Sequence, residues 1–149
     1  MDEIIASISC RQTYPITILP QWARIVKSAG RYTDYADMIA GFNTITNTAY
    51  KYIPENIDYW SDPGEFINNK GGDCEDFAIY KFFSLQLPKY LVVGTLTENN
   101  LVHAVCTVYT RKYKDWVALD CMTNDIISWK EYTEGFKPIY LCDMDGVYV

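Results

Sequence analysis

The chain has 149 residues, of which 49% are hydrophobic and 21% charged, and its formal net charge is -6. This length and composition disfavour a disordered or multidomain protein, and we expect a single globular domain over residues 1–149. The excess of acid disfavours phosphate backbones and anionic membrane surfaces, which attract lysine and arginine, so we expect no nucleic-acid partner.

The N-terminal sequence and the cysteines bear on the cellular compartment. Residues 1–10 carry acid where a signal peptide carries base, and no apolar run approaches the ~20 residues of a membrane helix. Five cysteines at irregular spacing, without a Cys-x-x-Cys pair, indicate free thiols in a reducing compartment. We expect a cytoplasmic or viral protein that does not insert into a membrane. The sequence does not determine its oligomeric state. A mature domain trimmed of its signal is the alternative.

Two N-terminal helices are predicted from proline, glycine and apolar periodicity. The first begins at Pro20 and ends before Gly30, and the second runs from Asp34 until Pro54. In the second helix, apolar residues recur at alternating three- and four-residue steps, which predicts that their stripe faces the core. The stripe comprises Tyr35, Met38, Phe42, Ile45, Ala49 and Tyr52.

Two further helices are predicted on either side of a glycine pair. Asp62 caps a short helix that ends near Gly71-Gly72. Asp73 caps the next helix, which spans residues 74–87 and carries apolar side chains around much of its circumference. We therefore expect this helix to be largely buried.

The second half of the chain is rich in β-branched and aromatic residues, which is typical of strands. A hairpin is predicted from residues 90–97 and 101–110, followed by strands over residues 116–120 and 137–142. Helices followed by antiparallel strands predict an α+β fold.

Cys74 is a candidate nucleophile because of its place in the chain. It follows Gly71-Gly72-Asp73 and lies in the first turn of a buried helix, where unpaired N–H groups and the helix dipole favour a thiolate. The glycines let the backbone pass close to a substrate, and a backbone N–H can face an oxyanion. The alternative is a buried cysteine beside glycines that only form a turn.

His103 is the single histidine of the chain, and Asp120 ends the strand that follows its own. Strand alternation places His103 on the same face as Val105. Cysteine-protease chemistry requires a carboxylate that binds the imidazole N–H, and Asp120 is the candidate for it. Direct opposition of the two residues would leave a two-residue loop without hairpin-turn chemistry, so a diagonal or bulged approach is equally compatible. The alternatives are a packed strand histidine and a strand-terminal turn residue.

The segment around the cysteine resembles the bacterial transglutaminase-like cysteine proteinase family. The two long matching stretches are Tyr59-Trp60-Ser61-Asp62-Pro63-Gly64-Glu65-Phe66 and Gly71-Gly72-Asp73-Cys74-Glu75-Asp76-Phe77-Ala78-Ile79-Tyr80-Lys81. The shorter matches are His103-Ala104-Val105, Leu119-Asp120 and Gly41-Phe42-Asn43 with Asn47. The resemblance implies a papain-like fold in which N-terminal helices, with the cysteine on a central helix, pack on an antiparallel sheet that carries the histidine and the aspartate.

The resemblance also implies an activity and a metal site. Cys74, His103 and Asp120 would be the catalytic triad of a cysteine protease that cleaves a protein substrate through an acyl-enzyme. The best-known family members are periplasmic, calcium-dependent proteases that release surface adhesins, and acidic residues flanking their cysteine bind the calcium. The corresponding residues here are Asp73, Glu75 and Asp76. Without metal, the same acids would stabilise the helix N-terminus.

The sequence departs from the family pattern in two places. Residues 1–10 do not resemble the family's usual export signal, so we expect none, and Cys121 follows Asp120 where the family has asparagine. Two other functions remain open. The acyl-enzyme could be passed to an amine or formed on a side-chain amide, as in transglutaminases and deamidases, or the fold could hold a peptide without catalysis.

Overall fold

The computed structural model describes residue 4 and residues 18–28, 38–55 and 58–148. Its helices are α1 (Ile18–Ser28), α2 (Ile39–Ala49), α3 (Pro63–Asn69), α4 (Cys74–Ser84) and α5 (Trp129–Tyr132). Its strands are β1 (Lys51–Tyr52), β2 (Gly71–Gly72), β3 (Lys89–Leu96), β4 (Val102–Thr110), β5 (Asp115–Leu119), β6 (Ile127–Ser128), β7 (Phe136–Asp143) and β8 (Gly146–Tyr148). The predicted α+β class is confirmed.

One antiparallel sheet holds six strands in the order β6-β5-β4-β3-β7-β8. The predicted hairpin is β3 with β4, and its register places Gly94 opposite His103. The predicted third strand is β5, beside β4, and the predicted fourth strand is β7, on the other side of β3. The short strands β1 and β2 form a separate parallel pair that the sequence did not predict.

The sheet separates two hydrophobic clusters. Ala104 and Cys106 of β4 belong to the larger cluster, which includes residues of α1, α2 and α4. Val105 points to the smaller cluster on the opposite face, around Trp129 and Phe136. The alternation predicted for β4 is therefore confirmed. No described helix is long and apolar enough to cross a membrane.

The central helix α4 begins at Cys74 because the residue before it is a cap. The Asp73 carboxylate accepts a hydrogen bond from the backbone N–H of Asp76 at 3.3 Å, and the Asp76 carboxylate accepts one from the N–H of Asp73 at 3.2 Å. This reciprocal capping box fixes the first turn of the helix. Most of α4 is buried, as predicted.

The end of α4 was predicted three residues too late, since the helix stops at Ser84 and Leu85 is already extended. Lys89 caps this end of the helix. Its ammonium donates to the carbonyl oxygens of Phe82 and Leu85 at 2.6 and 2.7 Å, which satisfies backbone acceptors left open at the C-terminus.

The prediction for α2 was wrong in its end and in most of its buried face. The helix ends at Ala49, and Tyr52 belongs to β1. Of the predicted stripe, Phe42 is buried, whereas Met38 and Ile45 are about 60% exposed. The face that meets the core is partly polar and includes Asn43, which accepts a hydrogen bond from the buried Lys81. The predicted positions Gly30, Asp34 and Tyr35 lie outside the described residues.

Candidate active site

Cys74 meets the histidine-bearing strand at the N-terminus of α4. Its side chain is buried, and the backbone N–H of Ala104, the residue after His103, lies close enough to favour the thiolate. The thiol donates to Oε2 of Glu75 at 3.4 Å. The fold thus brings the candidate nucleophile to β4, with Glu75 rather than His103 as the hydrogen-bond partner of its thiol.

His103 and Asp120 are in direct contact. Nε2 of His103 lies 2.9 Å from Oδ1 of Asp120, and both side chains are buried. The sheet pairs Cys106 with Leu119, so Asp120 follows the last ladder position and lies diagonal to His103 on the same face. Of the direct, diagonal and bulged approaches that the sequence left open, the diagonal one is therefore present, with a loop over residues 111–114.

Several donors hold Asp120 in its ionised form. Besides His103, the N–H of Met122 donates to Oδ1 at 3.1 Å and the hydroxyl of Tyr132 donates to Oδ2 at 2.8 Å. Burial raises the pKa of Asp120, but the hydrogen bond and charge of His103, together with these two donors, outweigh burial and bring the pKa below its usual value. The carboxylate is therefore ionised at neutral pH.

The thiol of Cys74 is less acidic than its place on the helix predicts. Burial raises its pKa most, the charges of Glu75 and Asp73 raise it further, and the N–H of Ala104 lowers it only in part. The prediction that the helix N-terminus favours the thiolate did not take these carboxylates into account.

Three carboxylates gather next to the cysteine. Glu55, Asp73 and Asp76 each bring an oxygen within 4.8 Å of the other two. Burial raises the pKa of Asp76 to about 8, and the charges of Asp73 and Glu55 add to the rise. The pKa of Glu55 is also raised, first by burial and then by the charge of Asp73. Burial is the larger cause of both shifts, and repulsion between the neighbouring carboxylates adds to it.

Of the three predicted metal ligands, Asp73 and Asp76 belong to this group of carboxylates. Glu75 lies outside the group but hydrogen-bonds to Asp73, and burial followed by that contact raises the pKa of Glu75 to about 7. Glu55 was missed by sequence reasoning. It follows β1, and only the pairing of β1 with β2 brings it to the start of α4.

Cys121 lies beside the His103 and Asp120 pair, with its Sγ within 4.8 Å of their ligand atoms. Burial and then the charge of Asp120 raise the pKa of the Cys121 thiol to about 12. A neutral thiol therefore stands where the family pattern has an asparagine side chain, and it can still donate a hydrogen bond to Asp120.

A groove of about 820 Å³ runs between α2 and residues 123–127. Its lining includes Gly41, Ile45 and Asn124, but neither Cys74 nor His103. The groove is therefore adjacent to the segment that carries Asp120 rather than part of the candidate site.

No protein-family model matches the chain, and no curated protein is significantly similar to it in sequence. Solved structures are similar in fold. LapG of Legionella pneumophila superposes with a TM-score of 0.67 at 23% identity, covering 99% of this chain and 86% of LapG. Its calcium-bound form gives a TM-score of 0.65 at 25% identity, covering 99% of this chain and 84% of that one.

A protein from Cytophaga hutchinsonii, provisionally described as a cysteine protease, gives a TM-score of 0.55 at 16% identity. The match covers 95% of this chain but 48% of that protein, so this chain spans about half its length. These likenesses confirm the expected fold and support the resemblance to the transglutaminase-like cysteine proteinases.

Proposed function

We propose that this chain is a thiol hydrolase that cleaves a peptide bond of a protein substrate. Cys74 is the nucleophile, His103 is its base and Asp120 orients the histidine. The observation that carries the proposal is the buried 2.9 Å contact between His103 and Asp120, on the strand whose Ala104 N–H faces Cys74 at the N-terminus of the central helix. The fold shared with a provisionally described cysteine protease supports the proposal.

The two ring nitrogens of His103 have separate roles in this mechanism. Nε2 binds Asp120, so Nδ1 is the nitrogen that can act as base, and the Cys74 thiol must turn from Glu75 toward His103 before it gives up its proton. Nδ1 takes the thiol proton as Sγ attacks the substrate carbonyl, and the imidazolium then gives that proton to the departing amine. Water releases the acyl group from Cys74 in the second half of the reaction. Asp120 stays ionised and stabilises the imidazolium.

We further propose that Asp73, Asp76 and Glu55 hold a calcium ion. Closely spaced carboxylate oxygens are the ligands that calcium prefers. Burial is the first cause of the raised pKa values of Asp76 and Glu55, and the charge of Asp73 adds to both, a repulsion that a cation would relieve. Glu75 adds a carboxylate beside Asp73. A bound calcium would supply positive charge near Cys74, whose thiol pKa is raised by burial first and then by the neighbouring carboxylates. LapG has been solved in calcium-bound and EGTA-treated forms.

The test is a peptide-library cleavage screen with the wild type and Cys74→Ala, in the presence of calcium. Loss of the nucleophile of a triad typically lowers kcat by roughly 10⁴- to 10⁶-fold, so cleavage by the variant should disappear. Cys142→Ala is the matched control, because Cys142 is another buried cysteine of the larger hydrophobic cluster. That variant should lose stability and still cleave.

The same assays separate the competing functions. Incorporation of a labelled amine into a glutamine donor by the wild type, without peptide cleavage, would reassign the chain to acyl transfer. Peptide binding without any reaction, together with ordinary reactivity of Cys74 toward iodoacetamide, would indicate a peptide-binding module.

A further inference from the structure

Lys81 is a cation buried in the protein close to the candidate site. It lies on α4, two turns after Cys74, and is 0% exposed. Its ammonium donates to Oδ1 of Asn43 and Oδ1 of Asn47, each at 2.7 Å, and faces the carbonyl oxygen of Leu119 at 3.5 Å. Because an ammonium has three donors and no acceptor, these three oxygens match it. The buried charge is therefore fully solvated by the protein.

The ammonium fixes the orientation of the Asn47 amide. Since Lys81 can only donate, the amide of Asn47 must turn its oxygen toward Nζ and its Nδ2 group away. In that orientation Nδ2 donates to the carbonyl oxygen of Asp120 at 2.8 Å and to that of Thr123 at 3.0 Å. A chain of hydrogen bonds therefore leads from Lys81 to the backbone of Asp120.

The backbone of Asp120 needs such an anchor because the sheet does not hold it. The ladder between β4 and β5 ends at the pair Cys106 and Leu119, one residue before Asp120. A shift of about 1 Å in a catalytic constellation can lower activity about 100-fold. Holding the Asp120 carbonyl on one side fixes where the Asp120 carboxylate meets His103 on the other.

We propose, resting on the function proposed above, that Lys81 and Asn47 are positioning residues of the active site. Lys81 orients the Asn47 amide, Asn47 fixes the main chain of Asp120, and Asp120 is thereby kept in contact with His103. This role explains why α2 turns a partly polar face toward the core. Burial lowers the pKa of Lys81 to about 8, so the ammonium form predominates at neutral pH.

The decisive variant is Asn47→Asp. It keeps an oxygen for Lys81 but replaces the Nδ2 donor with an acceptor, so it cuts the link to Asp120 without leaving the ammonium unpaired. We expect kcat to fall roughly 10- to 100-fold with KM little changed, because a lost hydrogen bond of this kind disturbs orientation rather than substrate binding.

A second readout does not depend on activity. The chain has one histidine, so the ring proton shared between His103 Nε2 and Asp120 should give a single assignable downfield NMR signal. That signal should be present in the wild type and lost or broadened in Asn47→Asp and in Lys81→Met. If the wild type shows the signal but no hydrolysis, the proposed function fails while the positioning role is still tested.

Two controls separate positioning from general stability. Asn43→Asp on the same helix keeps an oxygen for Lys81 and loses only the bonds to the carbonyls of Thr123 and Asn124, at 3.1 and 3.2 Å. Lys89→Met removes a second ammonium, one that is only partly buried and that binds carbonyl oxygens at the C-terminal end of α4. Both should keep the NMR signal and near-normal kcat, whatever their stability. Wild-type kcat and an intact signal in Asn47→Asp would overturn the proposal.

Discussion

Tyr132 is the donor to Asp120 that no sequence pattern indicated. Its hydroxyl lies 2.8 Å from Oδ2, on the side of the carboxylate away from His103. Burial and the charge of Asp120 raise the pKa of Tyr132, so the phenol remains a donor. The residue belongs to the one-turn helix α5, which is too short to show periodicity, and only the folded chain brings it to Asp120.

We predict that Tyr132→Phe lowers kcat about 10- to 100-fold, because a hydrogen bond to a charged group contributes about 1.5–3 kcal/mol. The ring is kept, so the fold should be retained. Tyr59→Phe is the matched control, since the Tyr59 hydroxyl donates to Glu65 at 2.6 Å on the exposed surface. Steady-state kinetics of both variants decide, and equal kcat values for Tyr132→Phe and the wild type would exclude this role.

Glu55 is the residue that separates the proposed calcium site from simple helix capping. Asp73 and Asp76 cap α4 with or without metal, whereas Glu55 comes from another part of the chain and makes no contribution to that capping box. A requirement for Glu55 would therefore point to a bound cation.

We predict that millimolar calcium raises the Tm of the wild type and that Glu55→Gln removes most of the increase. Ligand at a hundredfold excess over Kd stabilises the native state by about 2.7 kcal/mol, or roughly 5–10 °C for a domain of this size. Glu98→Gln makes the same change of charge in the exposed turn between β3 and β4 and should leave the shift intact. Differential scanning fluorimetry with calcium and with EGTA measures both, and the same shift in both variants would contradict the site.

At the level of elements, α2 shows where periodicity succeeds and where it fails. Its existence and the burial of Phe42 followed from the sequence, because three- and four-residue steps are a reliable helix signal. The residues of its buried face could not be predicted from the sequence. Asn43 and Asn47 face inward because they accept hydrogen bonds from the buried Lys81 of α4, and Ile45 is exposed instead. Hydrophobic periodicity cannot reveal a contact between polar residues that lie far apart in the chain.

The strand pair β1–β2 is a second element beyond sequence reasoning, because two residues per strand are too few to alternate. Its close packing requires glycine. Gly71 has a φ of 150°, and a Cβ there would overlap the carbonyl of Lys51, while a Cβ at Gly72 would overlap the side chain of Asp76. The sequence left open whether the Gly-Gly pair lets the backbone approach a substrate or only forms a turn. In the fold this pair lets β1 and the base of α4 come together.

We predict that Gly72→Ala destabilises the protein by about 1–3 kcal/mol, because the new methyl group displaces the buried Asp76 carboxyl from its bond with the N–H of Ser61. The calcium-induced change in Tm should shrink as well. Gly41→Ala is the control: Gly41 is exposed within α2 with nothing near its Cβ direction, and alanine there should stabilise by about 0.5–1 kcal/mol. Urea denaturation measures both, and a neutral Gly72→Ala would refute the packing argument.

At the level of the whole molecule, the candidate site forms where the helical half meets the sheet. Cys74 comes from α4, while His103 and Asp120 come from β4 and the end of β5. The order of the longer helices and strands could be anticipated from the sequence, which also named these three residues as candidates. The way in which these residues come together could not be predicted, because it depends on the strand register and on the buried contacts of Lys81 and Tyr132.

The acidic residues at the start of α4 predict how the stability of the whole protein depends on pH. The folded-state pKa is about 7 for Glu75 and about 8 for Asp76, both above the values of roughly 4 expected in the unfolded chain. The folded protein therefore binds more protons, and the stability these groups contribute is present below about pH 4 and lost as pH rises to about 8. Asp120 has a lowered pKa, and its contribution is lost only in stronger acid.

In EGTA we accordingly expect the Tm to fall between about pH 5 and about pH 8, because Glu75 and Asp76 lose their protons over this range while buried beside other carboxylates. Calcium binds only the deprotonated carboxylates, so its affinity rises over the same range and should cancel the loss. The difference in Tm between calcium and EGTA should therefore widen steadily toward alkaline pH. Thermal melts at half-unit steps with each additive test this coupling. A difference in Tm that is independent of pH would mean that these carboxylates do not hold the ion.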